Sequence, residues 1–370
     1  MNLEFSEEAR AIGDQARRFL EKRDCRERAR AALSGEAEPD VELWREMVAF
    51  GWIGSFIPEE YGGNGAGYEA LCVIAEEIGR SLAPVPFASN ILAGEIILRS
   101  GTQEQKSYWL PKIASGEMIG TLALHEAPGR ISADAITLRY ENGRLTGRKC
   151  PVPDGAQADF AVVVARDPDG SIVPVLAFFD ETVTRTRQPT IDDSRAQAEL
   201  HFDGTPGERL GSGGSGAWAE LVAALDRAAV ILAFEEVGGA QACLDLAVEY
   251  AKTRHAFGRP IGANQAIKHK LANVYVAVEL ARSNAMMGAL GLLSEQGDLA
   301  VAAATARVSA IQAFIMASSE SIQTHGGIGF TWEADTNLFY RRANALALGL
   351  GTESYWKERL VSGLEQRHLA

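Results

Sequence analysis

Metal-binding and thiol patterns are scarce in this sequence. Its four cysteines, Cys25, Cys72, Cys150 and Cys243, are scattered and form no CxxC pair. That argues against a disulfide framework and a thiolate metal site, and predicts a reduced, cytoplasmic setting. Six histidines show no HxxxH or HxH spacing, so no metal and no zinc catalysis are expected. Basic residues are outnumbered, 36 Lys and Arg against 49 Asp and Glu, for a formal charge of -13. Nucleic acid is therefore not expected as a partner, because its backbone demands clustered cations. A phosphorylated cofactor is still allowed, since one local group of donors can hold it. No apolar run approaches the roughly 20 residues of a membrane span. Met1 to Arg18 mixes acids with bases and lacks the apolar core of a signal peptide. No membrane is expected.

What is present is an ordinary globular composition, 46% hydrophobic and 23% charged over 370 residues, enough for two or three domains with a sizeable core. Residues 1–118 read as a helical domain. Phe5, Ala9, Ile12, Ala16 and Phe19/Leu20 recur at three- and four-residue steps. A second helix runs from Val41 to Phe50 and stops at Gly51, and others follow over Tyr68–Ser81, Phe87–Ser100 and Thr102–Ala114. Thr102 and Gln105 have the spacing of a capping box. Residues 119–208 change texture. Short β-rich runs at Ala135–Tyr140, Arg144–Arg148, Phe160–Ala165, Val173–Phe179 and Ala198–Phe202 alternate with Gly, Asp, Asn and Pro turns. Closely spaced strands of this kind predict a small antiparallel barrel or sandwich. The run Gly211–Gly216 reads as a linker or as a phosphate cradle without the Lys-Ser/Thr of a P-loop. Residues 209–370 return to long helical periods over Ala219–Thr253, Asn264–Ser294 and Asp298–Thr324, with abundant Ala and a Gly238-Gly239 pair. A four-helix bundle is the simplest packing, and its small residues favour self-assembly or pairing with a related chain. The fold class is α+β, in the order helical, β, helical.

Two motifs in the last segment are specific. Arg254, Phe257, Gly258, Pro260, Ile261 and Gln265 resemble the R-x-x-F-G-x-P-I-x-x-x-Q signature of the acyl-CoA dehydrogenase family. Gln323, Gly326, Gly327, Gly329 and Phe330 resemble its Q-x-x-G-G-x-G-[FY] signature. Pro58–Gly63, Gly101, Gln105-Lys106, Trp109–Pro111 and Gly116 also match, so the resemblance spans nearly the whole chain. It implies FAD as cofactor, an acyl-CoA substrate, and an electron-transferring flavoprotein as acceptor. Arg254 offers a planar five-donor group for a pyrophosphate, Phe257 a ring surface, and Gly326 and Gly327 a backbone without Cβ. Gln265, Gln323 and Thr352 join them as cofactor-binding residues. In the family these elements reach FAD held by a neighbouring subunit, which implies a dimer or tetramer. For either motif alone, an Arg ion pair or a Gly-Gly helix stop is the plainer reading.

The family reaction takes an α-proton from the thioester and sends the β-hydride to flavin N5, so it needs a carboxylate base. Most members carry it as Glu in a Y-E-G-T motif, where this chain has Leu350. Isovaleryl-type members place a Glu directly before an Arg early in the last domain, and the matching pair is Asp226-Arg227. Asp226 is the candidate base and Arg227 a substrate-binding residue; the alternative is that Asp226 caps a helix or pairs with Arg227. The flavin-facing segments also depart from the family. His125–Arg130 replaces T-E-P-x-x-G, and Lys149–Gly155 places Pro151 and Pro153 where the family has Trp and Thr. Proline brings neither a hydroxyl nor an N–H. These departures resemble a bacterial subgroup that acts on bulky acyl-CoAs such as steroid side chains, in α2β2 complexes with a paralogous chain. A non-catalytic subunit that completes the partner's FAD site is the other reading.

Overall fold

Where apolar residues recur at helical steps, the chain forms helices. The computed structural model describes residues 4–33, 40–127, 131–211, 216–294 and 298–369. Most of the glycine run at 211–216, and Pro128 to Arg130 of the flavin-facing segment, lie outside the described residues. Contacts divide the chain into two units: Met1–Ala37, Tyr68–Ala83 and Ala229–Ala370 form one, Glu38–Gly67 and Pro84–Ala228 the other.

The first unit is helical. It contains α1 (Glu7–Glu21), α2 (Cys25–Leu33) and most of α4 (Gly67–Ser81). Part of α7 (Ala217–Thr253) belongs to it, with α8 (Gln265–Leu293), α9 (Leu299–His325), α10 (Asp335–Leu346) and α11 (Glu353–Leu369). In α1 the expected stripe is inward, with Ala9, Ala16 and Leu20 buried and Ser6 capping the Ala9 N–H. On α8, Val274, Val278, Ala281, Ala285 and Leu292 are buried. They repeat at the three- and four-residue steps of a helix packed along one side. Small side chains let helices approach closely. A Cβ on Gly238 would stand 1.8 Å from the Glu76 carbonyl oxygen, and one on Gly79 1.8 Å from that of Glu235. The glycine pair in α7 is thus a contact surface: Gly238 faces α4, and Gly239 faces the ring of Phe314 on α9. One sequence expectation needs correction. Within Leu299–Phe330 an 18-residue window reaches a mean hydropathy of 1.6, apolar and long enough by composition to cross a membrane. Half of that window is buried, because α9 packs against α8, α10 and α11.

The second unit carries α3 (Val41–Ala49), α5 (Phe87–Ser100), α6 (Gln103–Ala114) and an eight-stranded sheet. Its strands are β1 (Gly120–Ala123), β2 (Arg139–Glu141), β3 (Arg144–Pro153), β4 (Phe160–Arg166), β5 (Ile172–Phe178), β6 (Val183–Gln188), β7 (Gln197–Pro206) and β8 (Glu208–Arg209). The spatial order is β6-β7-β3-β2-β4-β5-β8, with β1 beside β4. Asn142 and Gly143, at φ 53 and 75, make the two-residue turn between β2 and β3. Facing pairs Ala161/Ala177, Val163/Val175 and Ala165/Val173 of β4 and β5 fill the core with Leu145, Leu200 and Phe202. The sheet is mixed, not wholly antiparallel, because β1 and β2 run parallel to β4. Strand β1 is buried throughout and shows no alternation, and β6 is almost wholly exposed and polar, so neither shows the half-buried pattern that marks a strand. The expected run at Ala135–Tyr140 is a 3-10 turn followed by the short β2. The capping box forms as expected on α6, and the Gln105 amide also donates to Glu208 at 2.6 Å and to the Arg209 carbonyl at 2.8 Å.

Candidate functional site

In the second unit the segments around His125 and Lys149 come together through the main chain. The Cys150 N–H donates to the His125 carbonyl at 2.7 Å. Lys149 is fully buried, and its ammonium donates to Glu126 at 2.8 Å and to the Leu124 carbonyl at 3.0 Å. Burial pulls that ammonium down to about 8, against the pull of Glu126. Between Lys149 and Val152 the register with β7 shifts by one residue, and Pro151 falls in that irregularity, where no ladder partner is required. The Thr121 hydroxyl donates to the Pro153 carbonyl at 2.5 Å. The donors and acceptors around 149–153 are therefore largely occupied within the chain. The two prolines add no N–H.

Asp226 lies well inside α7, which starts at Ala217, so it does not cap that helix. It is 5% exposed. Arg227 pairs with Glu95 on α5, Nε to Oε1 at 3.3 Å. Arg227 thus reaches toward α5, while Asp226 lies buried within α7. Glu95 is 2% exposed and also pairs with Arg99. Sequence reasoning missed Glu95, although a lone acid within the apolar stretch Ile91 to Leu98 was a visible signal. Glu235 and Glu236, further along α7, are both engaged by buried arginines, Arg342 and Arg307.

In the first unit the two glycine-bearing signatures meet. The Arg254 N–H donates to the Tyr250 carbonyl at 2.8 Å, and its carbonyl accepts from the Ile261 N–H at 2.8 Å. Between them β9 (His255–Ala256) and β10 (Arg259–Pro260) form a tight hairpin. Its tip is Phe257 and Gly258, at φ 54 and 80. Left-handed backbone is unfavourable for Phe, and its ring is wholly exposed at 103%. Tyr250 stacks on His325 with ring centroids 4.2 Å apart, which joins the end of α7 to the end of α9 and to Gly326. Gln265 and Gln323 are exposed, as is the Arg254 side chain. A Cβ on Gly326 or Gly327 would meet nothing within 4 Å. Arg254, Phe257 and the Gln323–Gly327 turn thus present open donors and an open ring, a surface that fits a phosphate-bearing cofactor arriving from outside the chain. Thr352 has a local duty, since its Oγ1 accepts from the Tyr355 N–H at 3.3 Å at the start of α11. Leu350, at φ 55, packs against the cluster that includes Leu232 and Leu346 and holds no proton acceptor.

Comparison with known proteins identifies the family. The model of the acyl-CoA dehydrogenase N-terminal domain matches residues 6–117, and that of the acyl-CoA dehydrogenase C-terminal domain matches residues 216–364. The chain is 33% identical to acyl-CoA dehydrogenase IpdE2 of Mycolicibacterium smegmatis over 348 residues, 94% of this chain and 96% of the relative. It superposes on the Tcur3481-Tcur3483 steroid ACAD G363A variant with a TM-score of 0.88 at 30% identity, covering 98% and 99% of the two chains. The ChsE4-ChsE5 complex from Mycobacterium tuberculosis gives a TM-score of 0.88 at 25% identity, covering 99% of each.

Proposed function

The chain belongs to the acyl-CoA dehydrogenase family, and from that premise we propose that it dehydrogenates a bulky or branched acyl-CoA, such as one with a steroid side chain, within an α2β2 complex formed with a paralogous chain. Functionally the chain divides at residues 1–118, 119–208 and 209–370. The observation that carries the catalytic half is Asp226, a buried carboxylate inside α7 at the position where isovaleryl-type members place their base. It takes the α-proton, and the C–H electron pair becomes the new Cα–Cβ double bond. FAD, when bound, would supply the acceptor for the hydride that leaves Cβ. Arg227, oriented by Glu95, binds the substrate. Arg254, Phe257, Gln265, Gln323, Gly326, Gly327 and Thr352 hold the cofactor. An electron-transferring flavoprotein takes the electrons onward. The substrate class and the heteromer draw support from the likeness to a steroid ACAD and to the ChsE4-ChsE5 complex.

A second reading keeps the same surface and removes the chemistry: the chain completes a partner's FAD site and supplies no base. Leu350, Pro151 and Pro153 favour it, because none of them can carry a proton or donate a side-chain hydrogen bond. Co-expression with a paralogue tests the assembly. Flavin absorption bands are expected in the co-purified complex and not in the chain alone, and that complex should turn over polycyclic and branched acyl-CoAs. Flavin bands from the chain alone, or turnover confined to short straight chains, would overturn the proposal. In the complex, Arg254→Ala should weaken flavin retention by roughly 10- to 100-fold, the value of a charged hydrogen bond. Its exposure means that the melting temperature should hardly move.

A further inference from the structure

We infer that Arg307 is a positioning residue that sets the backbone of the turn from Leu346 to Thr352. Arg307 lies on α9 and is fully buried. Its Nη2 donates to the carbonyls of Leu346, at 2.5 Å, and Gly349, at 2.8 Å. Its Nη1 pairs with Glu236 of α7, which is equally buried. The Leu346 carbonyl belongs to the last turn of α10, at the negative end of the helix dipole, and also accepts from the Gly349 N–H at 2.9 Å. A guanidinium fork suits such a cluster, since one planar group reaches several acceptors at fixed angles.

The turn it grips is unusual. Leu350 sits at φ 55 and Gly351 at φ 103. A branched side chain in left-handed backbone is held there only by its surroundings. Thr352 follows directly and starts α11. The ion pair is a poor device for stability alone, because Arg307 Nε and Glu236 Oε1 have no partner among the described residues. Burial pushes the Glu236 carboxyl up to about 7 against the pull of Arg307, with Glu235 beside it adding to the rise. Glu235 is itself paired with Arg342 at 3.3 Å. What the pair provides is geometry: it fixes where Leu350 and Thr352 stand. The link from this turn to flavin and substrate rests on the dehydrogenase reading above, whereas the grip on the turn does not.

The test uses the full complex and the double variant Arg307→Met with Glu236→Leu, which replaces a buried pair by apolar groups of similar size and should therefore fold. Hydrogen exchange is expected to quicken at least tenfold at the amides of Leu348 and Gly349, while amides inside α7 and α9 keep their protection. With it, kcat should fall at least tenfold and KM change little, and Arg307→Lys, which keeps the charge without the fork, should recover part of both. Unchanged exchange at Leu348 and Gly349 in the double variant would overturn the inference. Quickened exchange with unchanged turnover would leave Arg307 as the anchor of the turn and overturn the link from the turn to the reaction. If the double variant does not fold, Arg307→Lys takes its place, and exchange equal to that of the native chain overturns the inference.

Discussion

Replacing Asp226 by Asn is expected to lower kcat of the assembled enzyme by roughly 10²- to 10⁴-fold, the usual contribution of a positioned general base. Asn has the shape of Asp and no basic oxygen, so flavin content and melting temperature should stay near those of the parent. The size of the effect follows from the lack of a substitute. Leu350 occupies the family's other base position and accepts no proton. Glu235 and Glu236 are both tied to buried arginines. Asp226→Glu supplies a control: it restores a carboxylate one methylene longer, and should retain far more turnover than Asn. Steady-state kinetics with a saturating artificial electron acceptor would measure all three. Turnover in Asp226→Asn within a few-fold of the parent would dismiss Asp226 as the base and leave the chain as the partner's structural subunit.

Gly238→Ala and Gly79→Ala are each expected to destabilise the protein by about 3 kcal/mol or more, at the upper end of overpacking effects. The reason is reciprocal. Each added Cβ would stand 1.8 Å from a carbonyl oxygen of the opposite helix, 2.7 Å from the carbonyl carbon behind it and within about 3.1 Å of a further backbone atom. Backbone inside two packed helices cannot swing aside as a long side chain can, so α4 and α7 would have to separate. Gly327→Ala is the contrasting case. Its Cβ would meet nothing within 4 Å, so stability should change little even where cofactor retention falls. Denaturant melts at fixed protein concentration would rank the three, and equal losses would refute the close-approach explanation.

Much of the fold was legible because local physics wrote it. Phe87–Ser100 forms a helix at its expected bounds, and the long helices of the last segment start and stop within two residues of their apolar periods. The turn at Asn142-Gly143 and the capping box at Thr102 follow from residue chemistry alone. Strands β1 and β6 were not legible. One is buried on both sides and the other lies at the sheet edge, and alternation arises only where one face of a strand is wet.

The site divides in the same way. The signatures around Arg254 and Gln323 stand out in sequence because each is a short span of specific residue types around a tight turn. The family followed from those spans, and the proposal of Asp226 as base rests on the separate segments around Leu350 and Asp226. Only the tertiary structure brought in the partners from distant segments: Glu95 on Arg227, Glu236 and the Leu346 carbonyl on Arg307, and Tyr250 on His325. Residues tens of positions apart share no local period, so their pairing is decided by packing and by the cost of burying an uncompensated charge.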